Sequence, residues 1–250
     1  MAVSKSVSAK EIAVCDAFVE KAEAFAKANG VCVSNAKEIA ENCDYIFLGV
    51  KPQSFEELFS EISPILKKRT DGFVLVSMAA GISISAVEGL ADCEPAVIRI
   101  MPNTPVSVGA GVILYSVNAK VKANEVAEFC KALSAAGVVD PIPEDKIDAA
   151  SALSGCGPAF VALFAEALAD GAVECGLPRD KAALYAAQTI LGTAELILKS
   201  GKHPAQIKDA VCSPGGTTIE GVHALEKGKF RASSMNAVTA AYEKTLKLKK

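Results

Sequence analysis

The sequence contains no tryptophan, only two histidines, and no Cys-x-x-Cys pair among its eight cysteines. Two histidines are too few for a histidine-based metal site. The cysteines are scattered, mostly among apolar neighbours, which predicts buried, reduced thiols rather than zinc ligands or a disulfide framework. We therefore expect no bound metal and a cytoplasmic location.

Strong net charge and long apolar runs are also missing. The formal net charge is -3, and basic residues gather only at the end of the chain, as is typical of a solvated helix end: Lys244, Lys247, Lys249 and Lys250. No uninterrupted apolar run is long enough to cross a bilayer, and the first residues lack the apolar core of a secretory signal. We expect neither nucleic acid nor a membrane as a partner.

Up to about residue 143, the sequence contains short apolar strands that alternate with helices. Strands are predicted at residues 12–15, 31–33, 45–50, 73–77 and 96–101, and one more, at 111–115, follows almost directly, as in a hairpin. Strands that are apolar on both faces and alternate with helices predict a parallel sheet covered on both sides. Ligands of such sheets bind at the carboxyl ends of the strands.

From residue 144 onward the predicted strands stop, and the chain is helical, rich in alanine and leucine, and interrupted by glycine and proline. Helices this apolar need burial on more than one face, which about a hundred residues in one layer cannot provide. We therefore expect two chains to intertwine here, as a homodimer or a larger homo-oligomer. The predicted domains are residues 1–143 and 144–250.

A glycine-rich phosphate loop is absent ahead of the first predicted strand. Dinucleotide-binding domains open with a strand, G-x-G-x-x-G and a helix, and this loop holds the pyrophosphate. The glycines at 109–111 and 155–157 are more simply explained as turns. We expect about 20–25 residues of a first unit spanning ~30 to be absent, unless the natural chain begins further upstream. Without that unit, unpaired strand edges and uncovered apolar faces are expected beside residues 12–15 and 45–50.

The stretch 212–218, Cys-Ser-Pro-Gly-Gly-Thr-Thr, lies where one predicted helix ends and another begins. Proline and two glycines allow a sharp turn that leaves several N–H groups pointing one way, beside two hydroxyls. This arrangement suits a small carboxylate. The simpler interpretation is a helix–helix turn in which a threonine caps the second helix.

Four stretches together resemble one family. They are Leu-Gly-Val-Lys-Pro-Gln at 48–53, Met-Pro-Asn-Thr-Pro at 101–105, Ala-Leu-Ser-Gly-Cys-Gly-Pro-Ala-Phe at 152–160, and residues 204–226 around Pro-Gly-Gly-Thr-Thr. They are similar to the motifs of pyrroline-5-carboxylate reductases, which reduce 1-pyrroline-5-carboxylate to L-proline in proline biosynthesis. The resemblance implies an α/β, Rossmann-like parallel sheet domain, here with the first βα unit missing, followed by an all-α dimerisation domain.

The resemblance also implies the site residues. Thr218 would direct its hydroxyl at the ring nitrogen of the substrate. The remaining substrate-binding residues would be Glu144, Ser213, Gly215, Gly216 and Thr217. The residues facing the cofactor, NADPH or NADH, would be Asn35, Val50, Lys51, Pro52, Ala79, Ala80 and Asn103. Each has a plainer structural explanation; Asn103, for example, could simply cap the turn between two prolines.

Two questions about the cofactor stay open at this point. Asp16 follows the first predicted strand, where a carboxylate binds the ribose of NADH and no arginine stands beside it for a 2′-phosphate, although the family mostly prefers NADPH. The missing phosphate loop also leaves an alternative function. The chain would then be a catalytically impaired or inactive relative that dimerises and binds a small carboxylate without dinucleotide.

Overall fold

The computed structural model describes residues 6–248, residue 248 by its backbone alone, so the lysines predicted to end the last helix at 249 and 250 lie outside the described residues. The described strands are β1 Ala13–Val14, β2 Cys32–Val33, β3 Tyr45–Leu48, β4 Val74–Ser77, β5 Ala96–Pro102, β6 Gly111–Val117 and β7 Gly137–Pro141. β1 and β2 form a parallel pair, and the others form a five-stranded sheet in the order β3-β4-β5-β6-β7.

Both faces of the five-stranded sheet are covered by helices, as strands that are apolar throughout predict. The helices of this half are α1 Val19–Asn29, α2 Ala36–Asn42, α3 Phe55–Leu66, α4 Ile84–Ala91 and α5 Ala123–Leu133. On β4, Leu75 packs with α3 and α4 on one face, whereas Val74 and Val76 pack with α5 on the other. The core of the α/β half therefore lies on both sides of β4.

The direction of the strands changes after β5. β3, β4 and β5 are parallel, and β6 runs antiparallel to β5, which confirms the predicted hairpin-like addition. β7 then runs parallel to β6 and was not predicted. Gly137, at φ +134°, begins β7, and a Cβ atom there would lie 2.1 Å from the Gly111 carbonyl oxygen, so only glycine allows the two strands to approach.

The edges of β1 and β3 are open within residues 6–248. There β1 pairs only with β2, and β3 pairs only with β4. Apolar side chains near β1 and β2 are correspondingly uncovered: Phe18 is 63% exposed, Phe25 53% and Val33 46%. These are the unpaired edges and uncovered faces that the sequence leads us to expect.

The second half is helical throughout, as predicted. Its helices are α6 Ile147–Ser154, α7 Gly157–Glu174, α8 Arg179–Ser200, α9 Pro204–Val211, α10 Thr217–Lys227 and α11 Phe230–Leu248. Two compact units emerge from the packing: Cys156–Ala241 forms one, and the chain up to Gly155 forms the other together with the end of α11 from Tyr242. The division between these compact units falls after α6.

The predicted burial of the cysteines is wrong. All eight are free thiols, but Cys15, Cys32 and Cys175 are exposed and the other five are only half-buried. Apolar neighbours in sequence do not guarantee burial on short strands at an open edge, as at Cys15 and Cys32.

Candidate active site

Five of the predicted cofactor residues lie at one edge of the five-stranded sheet. Val50, Lys51 and Pro52 follow the carboxyl end of β3, and Ala79 and Ala80 follow that of β4. Because β3 and β4 pair in parallel, these ends are neighbours. Ala79 is buried and the other four are exposed. The small residues after β4 leave this edge open, so the residues present fit the nicotinamide end of a dinucleotide.

Asn103 follows β5, the next strand of the sheet, and its side chain is held on both sides. The Asn103 Nδ2 group donates to the Ser154 carbonyl oxygen at 2.9 Å, and Oδ1 accepts from the Val112 N–H at 2.9 Å. The side chain does not cap the following turn, so the simpler explanation offered above is wrong. One N–H and one lone pair of the amide remain for a ligand.

Asn35 and Asp16 lie apart from that edge, at the ends of the two strands of the small sheet. Asn35 is the N-cap of α2 and its Oδ1 accepts from the Glu38 N–H at 3.0 Å. Asp16 follows β1, is exposed, and its Oδ1 accepts from the Phe18 N–H at 2.9 Å, which fixes the carboxylate at the strand end. The structure therefore gives Asn35 a capping role and fixes the Asp16 carboxylate just after β1.

The turn between α9 and α10 is tight and contains two adjacent glycines. Gly215 has φ +65°, a conformation that favours glycine. The Gly216 N–H donates to the Ser213 carbonyl oxygen at 3.0 Å, and a Cβ atom on Gly216 would lie 2.3 Å from Ser213 Oγ. A side chain at Gly215 would strain the backbone of the turn, and one at Gly216 would require the Ser213 hydroxyl to rotate away.

The two threonines begin α10 but do not cap it. The N-cap is Gly216, without a side-chain hydrogen bond, and Thr217 and Thr218 are the first two helical residues. The prediction of a threonine N-cap is therefore wrong. Their N–H groups have no acceptor within the helix, as is general for a first turn, and within residues 6–248 neither hydroxyl has a hydrogen-bond partner. The turn thus presents N–H groups and two hydroxyls at the positive end of a helix.

Glu144 lies in the unit that contains the sheet. Its Oε1 accepts from the Ile84 N–H at 2.7 Å and lies 3.1 Å from Arg99 Nη1. Arg99 Nη2 lies 3.3 Å from Asp148 Oδ1. Sequence analysis missed this cluster, although a single arginine within the apolar run of β5, Ala-Val-Ile-Arg-Ile-Met, is a signal of a buried ion pair.

Comparison with known families assigns both halves of the chain. A family model described as pyrroline-5-carboxylate reductase dimerisation matches residues 144–248, and one described as NADP oxidoreductase, coenzyme F420-dependent, matches residues 2–81. The pyrroline-5-carboxylate reductase of Synechocystis sp. is 42% identical over 248 residues, which cover 98% of this chain and 91% of that protein. The chain belongs to the pyrroline-5-carboxylate reductase family.

Solved structures of reductases from this family have the same fold as this chain. The enzyme of Coxiella burnetii superposes with a TM-score of 0.90 at 31% identity, over 99% of this chain and 92% of that one. That of Plasmodium falciparum, solved with NADP bound, superposes with a TM-score of 0.79 at 36% identity, over 88% of this chain and 83% of that one. The chain therefore has a Rossmann-like NAD(P)-binding domain followed by the family's all-α dimerisation domain.

One segment of the described residues is apolar enough on average to be considered as a membrane span. Glu144–Glu174 is long and apolar enough to cross a membrane, judged by length and composition alone, and few of its residues are buried. A single such segment is weak evidence for a membrane span, and this one lies within the dimerisation domain of the reductase family.

Proposed function

We infer that the chain is a pyrroline-5-carboxylate reductase, which reduces 1-pyrroline-5-carboxylate to L-proline with NADPH or NADH. The observation that carries this function is the turn before α10, where N–H groups and the Thr218 hydroxyl lie together without a partner within the described residues. The turn is exposed at Ser213 and Thr217 and half-buried at Thr218, so these groups are accessible to a ligand. A substrate with a carboxylate beside a ring nitrogen satisfies both.

The residues of the turn bind and orient the substrate. The N–H groups at the start of α10 donate to the carboxylate, whose charge the helix dipole favours, and Ser213 and Thr217 contribute hydroxyls around it. The Thr218 Oγ1 atom accepts from the N–H of the protonated imine and fixes the face of the ring. A protonated imine is already electrophilic, so positioning contributes more than a strong acid.

A reduced nicotinamide dinucleotide supplies the hydride when it is bound. Val50, Lys51, Pro52, Ala79 and Ala80 would hold its nicotinamide end at the sheet edge. Asn103 would contribute the N–H and the lone pair that its two fixed hydrogen bonds leave over. In a Rossmann domain a glycine-rich loop holds the pyrophosphate. The 250 residues contain no G-x-G-x-x-G sequence of this kind.

The direct test is an assay of the purified 250-residue chain with 1-pyrroline-5-carboxylate. Oxidation of NADPH or NADH that depends on the imine, with proline detected by mass spectrometry, supports the proposal. Binding of a proline-like carboxylate without any turnover instead supports the alternative, a relative that binds the carboxylate alone.

Free thiols support a cytoplasmic location. All eight cysteines are unpaired by disulfides, and three of them are exposed, a combination that an oxidising compartment does not favour.

The position of Asp16 predicts a preference for NADH over NADPH. Its carboxylate accepts from a ribose hydroxyl but repels a 2′-phosphate. The Nζ atom of Lys21, a nearby cation on α1, lies 4.4 Å from the centre of the Phe18 ring and contacts that ring. Replacing Asp16 by serine should improve the affinity for NADPH relative to NADH about tenfold, or about 1.4 kcal/mol. Titration with both dinucleotides measures the ratio, and Glu41→Gln, an exposed acidic position on α2, is the control. An unchanged ratio would contradict this role.

The helical unit carries the apolar surface expected of a dimer. Within Cys156–Ala241, only Ala169, Ala182 and Ala186 are buried apolar residues, in the contact between α7 and α8. α8 exposes a row of leucines at seven-residue spacing: Leu184 at 58%, Leu191 at 51% and Leu198 at 80%. Residues seven apart lie on one helix face, so this stripe fits a second copy of the chain.

Charge in the middle of that stripe should dissociate the oligomer. We expect wild-type chain to be a dimer or larger at micromolar concentration, and Leu191→Arg to shift it toward monomer. A buried leucine contributes about 1.5–3 kcal/mol, and symmetry removes it twice. Light scattering measures the mass. Val108→Arg, 79% exposed in the other unit, is the matched control. A stable, well-folded wild-type monomer would contradict the proposed assembly.

A further inference from the structure

A buried arginine joins three elements of the sheet-containing unit. Arg99 is on β5, paired with Ser77 of β4 in the ladder, and is only 4% exposed. A buried guanidinium requires acidic partners, and Arg99 has two: Glu144, in the short turn before α6, and Asp148, on α6. The arginine therefore fixes the position of the Glu144 carboxylate.

Glu144 makes a second contact, in addition to its ion pair with Arg99. The same Oε1 atom accepts from the N–H of Ile84, the first residue of α4, at 2.7 Å. Ser83, the N-cap, accepts from the Ala86 N–H at 3.1 Å through its hydroxyl, so the side chain of Glu144 satisfies a further N–H of the first turn. A carboxylate at this end of a helix is also favoured by the helix dipole.

The start of α4 determines the position of the connection after β4, residues 78–82, which we call the cofactor turn. Only five residues separate β4, which ends at Ser77, from the N-cap Ser83, and they include Ala79, Ala80 and Gly81. Gly81 has φ +79°, so the chain bends sharply between β4 and α4. Because the connection is short, a displacement of Ile84 moves the two alanines as well.

We propose that Arg99 and Glu144 are positioning residues for the cofactor turn, and that Glu144 acts by holding α4 rather than by contacting the substrate. The proposal rests on the proposed function for the identity of the ligand. It assigns Glu144 a different role from the substrate contact that the family resemblance implies. The effect of losing Glu144 should then appear in dinucleotide affinity before any substrate is added.

The test compares the variants Glu144→Ala and Glu144→Gln with the control Arg69→Met, which removes a different arginine with a largely buried side chain. The Arg69 side chain is also only 5% exposed, and it donates to the Ala40 and Cys43 carbonyl oxygens and to Asp71. It precedes β4, whereas the cofactor turn follows β4. Arg69→Met should therefore lower thermal stability without moving the turn.

Two measurements decide the proposal. In Glu144→Ala, hydrogen exchange of the Ile84 amide without ligand should be about tenfold faster, and the Kd for dinucleotide about tenfold higher. The KM for 1-pyrroline-5-carboxylate, and kcat at saturating cofactor, should stay within about twofold. Glu144→Gln keeps an oxygen acceptor and should restore most of the protection. Arg69→Met should leave both the exchange and the Kd unchanged.

Other outcomes overturn the proposal. Unchanged Ile84 exchange and Kd, with a raised KM for the imine, would make Glu144 a substrate contact. If Arg69→Met changed the Ile84 exchange and the Kd as much as Glu144→Ala does, Arg99 and Glu144 would contribute only to the general stability of the fold. A wild-type chain that binds no dinucleotide refutes the proposed function instead, and the Ile84 exchange still decides whether Glu144 holds α4.

Discussion

Replacing Thr218 by alanine should lower kcat at least tenfold and leave folding almost unchanged. If the hydroxyl orients the imine, losing it removes an interaction made as the ring reacts, and each 1.36 kcal/mol lost is about tenfold in rate. Thr218 caps nothing, since Gly216 is the N-cap of α10 and the hydroxyl has no partner within residues 6–248. The free energy of unfolding should therefore change by no more than about 0.5 kcal/mol. Steady-state kinetics and thermal unfolding measure the two effects.

Two neighbouring variants give this experiment its controls. Thr218→Ser retains a hydroxyl and should recover most of kcat. Thr217→Ala removes the adjacent hydroxyl, assigned to the carboxylate, and should raise KM for the imine with little change in kcat. Kinetics of Thr218→Ala equal to those of wild type would remove the residue from the mechanism, and a large loss of stability would show that it has a structural role as well.

Much of the α/β half could be predicted because its strands are continuous apolar runs. Apart from Ser77 and Arg99, residues 73–77 and 96–101 are apolar on both faces, and the structure buries β4 and β5 between helix layers. Elements with few apolar residues escaped prediction. α2 contains only Ile39 among large apolar residues, and β7 has just Val138 and Val139 between a glycine and Asp-Pro. Periodicity is uninformative in segments of that length.

The site could be predicted only where its residues are contiguous. The turn at 212–218 is visible in sequence because proline, glycine and threonine determine it locally. The contacts of Glu144 are not local, since Arg99 is 45 residues and Ile84 60 residues away along the chain. A family motif can place Glu144 near a pocket, but only the fold shows which atoms its carboxylate contacts. The prediction that a threonine caps α10 was wrong for a related reason, because Gly216, which has no side chain, occupies the N-cap position.

Adding a family-type strand, glycine loop and helix ahead of Ser6 should tighten dinucleotide binding at least about a hundredfold relative to the 250-residue chain. Hydrogen bonds to charged groups contribute roughly 1.5–3 kcal/mol each, and two of them at the lower value correspond to somewhat more than a hundredfold. The added strand would also pair with the open edges of β1 and β3. In a Rossmann sheet the first strand lies between the second and the fourth, the positions that we propose for β1 and β3.

A variant of the added unit separates the two contributions. With the loop glycines replaced by valine, the strand still fills the sheet, but the backbone can no longer approach the pyrophosphate. This variant should gain thermal stability over the 250-residue chain without gaining affinity. Calorimetric titration with NADPH and NADH measures all three proteins. If the 250-residue chain alone binds either dinucleotide at micromolar Kd or tighter, another segment supplies the phosphate contacts, and the role assigned to the absent loop is wrong.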